Sequence, residues 1–484
     1  MERITVTFEG AGAGTGNLTW GQQQVFQAMR ELNTSMSMGG VVPVHDGRTV
    51  PDFVEELRFF MTRYPAMRTL LRYNPDGTYS QETFAKGTAY LEVHTAPESD
   101  ATVPSAKATS SLIPAEAAAM AVSPAAEALA NEVFAAWKAR IFDFTNEWPI
   151  RMAVIRAGTD GPVTHVLVEV THVATDVTGL ATMIRELSER STLGSSPATG
   201  PLGSSPAMGP LGSSPAMGPL EIAAQQEAAT RQTDHAMRYW DTQLRLIDPQ
   251  RFPAGHHSYE GDRFRQLVWT SPALHLASER LAALLSIDTA PVLLAAYAVA
   301  FTRVVGGAPF ASQVIISNRF RPGLATAVSP FAQNGLVVID PRNATAAEVV
   351  LRARQASMSA SKYAYYDPSV RQSLIDQIGK DRGEPIDLQV LYNERRLALR
   401  PPQSIPAESA ILALQPETSV TRETTLPFFN EKLMSNIDDV PNTLQITTEV
   451  DTAYLSVGEV LRLLREMEHF TVTAALDPTT PALP

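Results

Sequence analysis

The chain has 484 residues, a formal net charge of −12 and no cysteine, so disulfides, thiolate nucleophiles and cysteine-bound metals are excluded. It is longer than the roughly 250–300 residues at which a single core stops growing, which predicts two lobes. The acidic balance speaks against a nucleic-acid partner, and no apolar run reaches the roughly 18 residues of a membrane helix, so no membrane partner is expected.

Met1 to Phe8 reads as a strand and lacks the basic start and apolar stretch of a signal peptide; with the missing cysteine, this is read as a cytoplasmic chain. Ala96 to Pro124 is rich in Ala, Ser, Thr and Pro, and Ala125 to Phe142 has a helical pattern. Val163 to Val170 is β-branched with partial alternation, so it is a strand. Leu180, Met183, Ile184 and Leu187 fall at i, i+3, i+4 and i+7, which makes Leu180 to Glu189 an amphipathic helix. Next comes a nonapeptide, Gly194-Ser195-Ser196-Pro197-Ala198-Thr199-Gly200-Pro201-Leu202, repeated from Gly203 and from Gly212. Such Gly/Ser/Pro repeats bury too little apolar surface to offset their ordering entropy, so residues 191–221 read as a spacer. Further along, Arg263 to Thr270 is strand-like, Ala273 to Leu285 and Pro291 to Val305 are helical, Gln313 to Ile316 is a buried strand, and Ser456 to Phe470 is helical. The class is α/β. The basic cluster at Asn393-Glu394-Arg395-Arg396 is expected on a solvated face.

Thr171-His172-Val173-Ala174-Thr175-Asp176-Val177-Thr178-Gly179 lies between a strand and a helix. That places His172 on a strand-to-helix turn, where a rigid scaffold presents a side chain, and Asp176 near the helix start, where the helix dipole favours a carboxylate. Thr178 is a candidate N-cap. By itself a His and an Asp four apart is a weak signal. His256-His257 with Asp262 follows no strand and precedes no helix, so it is read as a loop. Asp143, Glu147 and Glu169 read as structural acids, and no metal site, Walker loop or dinucleotide fingerprint is present.

The stretch resembles the His-His-x-x-x-Asp-Gly motif of nonribosomal peptide synthetase condensation domains, with Arg185-Glu186-Leu187 at the end of the following helix. Other segments are similar to that family in the same order. They are Leu18 to Gln24, Arg63 to Thr69, Phe142-Asp143-Phe144 with Trp148-Pro149-Ile150-Arg151, Tyr239-Trp240, Ile316-Ser317-Asn318-Arg319, Ser329 to Gly335, and Leu388 to Asn393. Two departures stand out: Thr171 replaces the first histidine, and Val177 the glycine after the aspartate, with Gly179 two positions on.

The resemblance implies two chloramphenicol-acetyltransferase-like lobes in a V-shaped pseudo-dimer with a central tunnel: residues 1–190 with the His172 motif, then the 191–221 linker, then 222–484. It implies a stand-alone acyltransferase with no bound cofactor. An acyl or peptidyl carrier protein, acting in trans, brings a thioester on its phosphopantetheine arm, and a small-molecule amine or hydroxyl attacks it. His172 would be the catalytic base or would stabilise charge, helped by N–H groups at the start of the following helix. Asp176 and Arg319 would form a structural pair bridging the lobes, and Thr171, Val177, Gly179 and Asn334 would line the tunnel. Two other readings remain open: a catalytically degenerate domain that recruits a partner to a carrier-bound peptide, and a coenzyme A-dependent acyltransferase of the same fold.

Overall fold

Hydrophobic patterning divides the chain into two separately packed bodies in the structure, a computed structural model that describes residues 1–97, 123–159, 161–194, 216–252, 261–396 and 404–483. Met1–Ala228 together with Arg319–Phe331 form the first unit, and Ala229–Asn318 with Ala332–Pro484 the second. The first unit thus extends past residue 190 and takes back a short segment from the second half of the chain. Most of the repeat tract and the His256-His257 segment lie outside the described residues.

The first unit runs β1 (Glu2–Glu9), β2 (Gly14–Asn17), α1 (Trp20–Glu31), β3 (Met38–Pro43), α2 (Val50–Arg63), β4 (Thr69–Tyr73), β5 (Tyr79–Thr83), β6 (Lys86–Ala96), α3 (Pro124–Lys138), β7 (Ile150–Ala157), β8 (Val163–Val170), α4 (Val177–Gly194) and α5 (Pro219–Glu227). Its main sheet has the order β1-β6-β7-β8-β3, antiparallel except for β6–β7, and a smaller sheet has the order β2-β5-β4. The period-2 alternation of β6 sends Leu91 and Val93 to one face, where Phe53, Leu57 and Met61 of α2 bury them. The opposite face, with Ala153, Ile155 and Leu167, is covered by Ala126, Ala130 and Trp137 of α3. α3 stops at Lys138, short of the expected Phe142, with Ala139 as its C-cap, and the Phe142 N–H donates instead to Ser35 Oγ at 2.8 Å.

The linker reading needs correction at its C-terminal end. Pro219 is buried, Ala216 packs against the core under α2, and a Cβ on Gly16 would lie 3.1 Å from Leu220. The last repeat therefore ends as a structural element that opens α5. Residues 191–194 complete α4, while 195–215 lie outside the described residues.

The second unit runs α6 (Thr230–Leu244), β9 (Phe264–Ser271), α7 (Pro272–Leu285), α8 (Thr289–Val304), β10 (Phe310–Ile316), β11 (Gln333–Ile339), α9 (Ala346–Lys362), α10 (Pro368–Arg382), β12 (Val390–Glu394), α11 (Glu408–Leu414), β13 (Ser419–Thr425), β14 (Leu433–Val440), β15 (Thr443–Asp451) and α12 (Val457–Leu476). Its sheet has the order β11-β10-β12-β14-β15-β9-β13. α8 is apolar on every side and is accordingly buried from Pro291 to Phe301, between the sheet and α7, α9 and α12. Ser456 closes a capping box with Glu459 and starts α12. No single helix among the described residues is long and apolar enough to cross a membrane. The basic cluster is only partly solvated: Arg395 pairs with Asp438, but Arg396 is turned inward onto Glu394 and Thr289.

Candidate active site

β8 delivers the candidate site, and its buried run fixes the register. Val163, Leu167 and Val170 are fully or nearly buried, and the strand ends at Val170, immediately before Thr171. Midway along it, His165 is buried. Burial, with His45 adding to it, pushes its pKa down to about 4 from the ordinary 6.5. The unfolded chain therefore takes up a proton at a pH where the folded one does not. The neutral ring contributes stability above about pH 6.5, and this contribution is lost as the pH falls toward 4. The melting midpoint should drop across that window, and His165→Gln should flatten that part of the profile, as scanning calorimetry at pH 7.5, 6 and 4.5 would read.

Thr171 is fully buried, and its hydroxyl donates to the Ser35 carbonyl at 3.1 Å while its N–H donates to Pro149 O at 3.0 Å. It is thus a clasp between the strand end and the loop after α1, rather than a lining residue. The same Ser35 carbonyl accepts the His172 N–H at 3.4 Å. Asn33, two residues before Ser35, and Met36, directly after it, both hold left-handed φ values, 49° and 42°, although neither is glycine. Ser37 Oγ donates to Glu169 at 2.6 Å, and Glu169 also pairs with the buried Arg151, whose guanidinium stacks 3.7 Å from the Phe142 ring centre. The acids expected to be structural, Glu147 and Glu169, are both bound by Arg151.

The His172 ring is half-buried, and its Nδ1 lies 2.8 Å from the Thr175 carbonyl. A carbonyl only accepts, so Nδ1 carries the proton and Nε2 of the neutral ring keeps its lone pair. Asp176, not Thr178, caps α4: its Oδ1 accepts the Gly179 N–H at 2.8 Å. Thr178 is exposed and stands two positions too late for this role, and the Gly179 N–H is thereby taken and not free for an oxyanion. The helix begins at Val177 and not at Leu180 because of this cap, and Ile184, expected on the apolar face, is exposed.

Arg319 meets Asp176 through Nε at 3.2 Å and through Nη2. Its remaining donors go to the carbonyls of Leu324 at 3.2 Å, Ala327 at 2.8 Å and Ser329 at 3.2 Å, so all five N–H groups have acceptors. The Phe331 N–H also points to Asp176, at 3.4 Å. The expected pair is formed, but Arg319–Phe331 belongs to the same unit as Asp176, so the pair closes the first unit on itself. Asn318, at φ 57°, makes the left-handed turn that ends β10 and sends the chain into Arg319.

The two family departures differ in weight. Val177 has a negative φ and an exposed side chain, so its position makes no demand for glycine. Gly179 does need to be glycine: an added Cβ would lie 2.2 Å from Thr175 Oγ1 and 3.2 Å from Arg319 Nη2. Gly179→Ala should cost about 1–3 kcal/mol by overpacking, seen as a lower urea midpoint at unchanged slope. Asn334 lies in the second unit on β11, where its Nδ2 donates to Gln313 at 3.0 Å and its carbonyl accepts the Tyr366 hydroxyl. Sequence reasoning missed Ser35 and Thr175, which hold His172 from either side. Among the described residues no group of His, Asp and Glu is placed to hold a metal ion.

The sequence matches no family model and no curated protein. Solved structures do match it. The condensation domain of the Monacolin K polyketide synthase MokA aligns at 14% identity with a TM-score of 0.63, covering 98% of this chain and 100% of that one. The structure of condensation domain-mediated chain release from the enacyloxin polyketide synthase aligns at 17% identity and TM-score 0.61, over 97% and 84%. The X-domain of teicoplanin biosynthesis, in complex with OxyB, aligns at 17% identity and TM-score 0.64, over 98% and 96%. The chain has the condensation-domain fold.

Proposed function

We propose that the chain is an acyltransferase that joins a carrier-bound acyl or aminoacyl thioester to an amine or hydroxyl. The observation that supports this most directly is the 2.8 Å contact between His172 Nδ1 and the Thr175 carbonyl. With Nδ1–H held by the Thr175 carbonyl, Nε2 is an acceptor, the state a general base requires. The acceptor nitrogen attacks the thioester carbonyl, its proton passes to His172 Nε2, the C–S bond breaks, and the proton returns to the phosphopantetheine thiolate. Asp176 and Arg319 keep the start of α4 in place and take no part in proton transfer. The phosphopantetheine arm is substrate, carried in trans by a partner.

A second reading, recruitment of another enzyme to a carrier-bound peptide, is motivated by Thr171, which stands where the family's first histidine would be, and by the likeness to an X-domain held in a complex. Mass spectrometry of a carrier loaded with acyl thioester and incubated with the chain and candidate amines separates the two. Amide product dependent on the chain supports the enzyme. Stable binding of the loaded carrier with no product across the amine panel supports recruitment. Product from acyl-coenzyme A without any carrier points to the third reading.

A further inference from the structure

Four arginines among the described residues are buried: Arg68, Arg151, Arg251 and Arg319. Three of them have acceptors on all three guanidinium nitrogens. Arg68 donates to the carbonyls of Met61, Phe84 and Ala11, Arg151 binds Glu147 and Glu169, and Arg319 has five acceptors. Arg251, 6% exposed, is the exception. Its Nη1 reaches Pro309 O at 3.5 Å, its Nε has no acceptor, and the Phe301 ring lies 5.9 Å away. The nearby Asp387 is committed to Lys432 at 2.9 Å and to the Gln389 N–H at 3.0 Å. Asp248 and Asp387 attract Arg251 only through space, so most of its buried N–H donors are left without an acceptor, which is costly unless a bound group supplies one.

Arg251 lines a pocket of about 260 Å³ in the second unit. Gly306 and Gly307, both at left-handed φ, form part of its wall, and the exposed carboxylates of Asp248 and Glu384 line it too. A dianion would be repelled by those two acids, whereas a zwitterion meets both signs. We propose that this pocket binds a small free α-amino acid, with its carboxylate on Arg251 and its ammonium toward Asp248 and Glu384. None of these residues belongs to the His172 site, and the inference stands apart from the acyl-transfer reading.

The test is the melting midpoint of the full chain, titrated with L-alanine, acetate, methylammonium or phosphate at constant ionic strength. L-Alanine should raise the midpoint saturably, with acetate and methylammonium about tenfold weaker or more. Arg251→Met should abolish the shift while melting, without ligand, at or above the wild-type midpoint, since it removes buried donors that have no acceptor. Asp248→Asn, a surface change, should weaken L-alanine and leave acetate unchanged. A ligand-free Arg251→Met that melts well below wild type, or fails to fold, makes the arginine structural and overturns the proposal. So does acetate or phosphate matching L-alanine, Asp248→Asn leaving L-alanine binding intact, or the absence of any L-alanine shift.

Discussion

His172→Ala is expected to lower product formation from a carrier-bound thioester by about 10²–10⁴-fold while leaving the melting curve in place. The ring is half-buried at the end of β8 and makes one side-chain hydrogen bond, to Thr175 O, so its removal leaves no large cavity and no buried charge. His172→Gln separates the roles: an amide side chain can still donate to the Thr175 carbonyl but cannot act as a base, so it should be as slow as alanine. Turnover of His172→Ala equal to wild type would end the catalytic assignment. A chain inert in both forms that still binds loaded carrier would shift the reading to recruitment.

The largest expected effect on stability belongs to Asp176→Ala. It strips the cap from α4 and leaves the Arg319 guanidinium, 7% exposed, without the one carboxylate bound to it among the described residues. Breaking a buried pair in this way costs about 3–5 kcal/mol, or roughly 6–20 °C in the midpoint of a unit of this size. Asp176→Asn should recover part of the loss, because its oxygen can still accept from the Gly179 N–H. Arg319→Met combined with Asp176→Leu should cost less than the two single losses added together, since the partners share one interaction. Fully additive losses would show that the two side chains act independently.

What the sequence made legible was whatever is written in local periodicity. Val163–Val170 was readable as a strand from its β-branched content and ends where expected, and α7, α8 and α12 begin within about two residues of their predicted starts because Ser271, Asp288 and Ser456 cap them. The Asp176–Arg319 pair, 143 residues apart in sequence, came from resemblance alone; no periodicity reports it. The Ser35 clasp was invisible for a related reason: it uses a backbone carbonyl, which any residue possesses, presented by two left-handed residues that are not glycine. The opposite error occurred at the end of the repeats. Composition marked Pro219 and Leu220 as spacer, whereas burial depends on what Gly14, Gly16 and Pro65 leave open beside them.

Arg319–Phe331 also has a temporal meaning. A ribosome releases Asp176 long before Arg319 is made, so a nascent chain of 228 residues carries every strand of the first unit's sheets but not the cation that closes the start of α4. The first unit must wait in an incomplete state while about ninety more residues emerge, at roughly 5–20 residues per second. No single cut of the gene separates the two bodies, and a fragment ending near Ala228 inherits the Asp176→Ala defect in another form: a cap without its counter-ion. Supplying residues 319–331 as a separate peptide is the complementation that this threading invites.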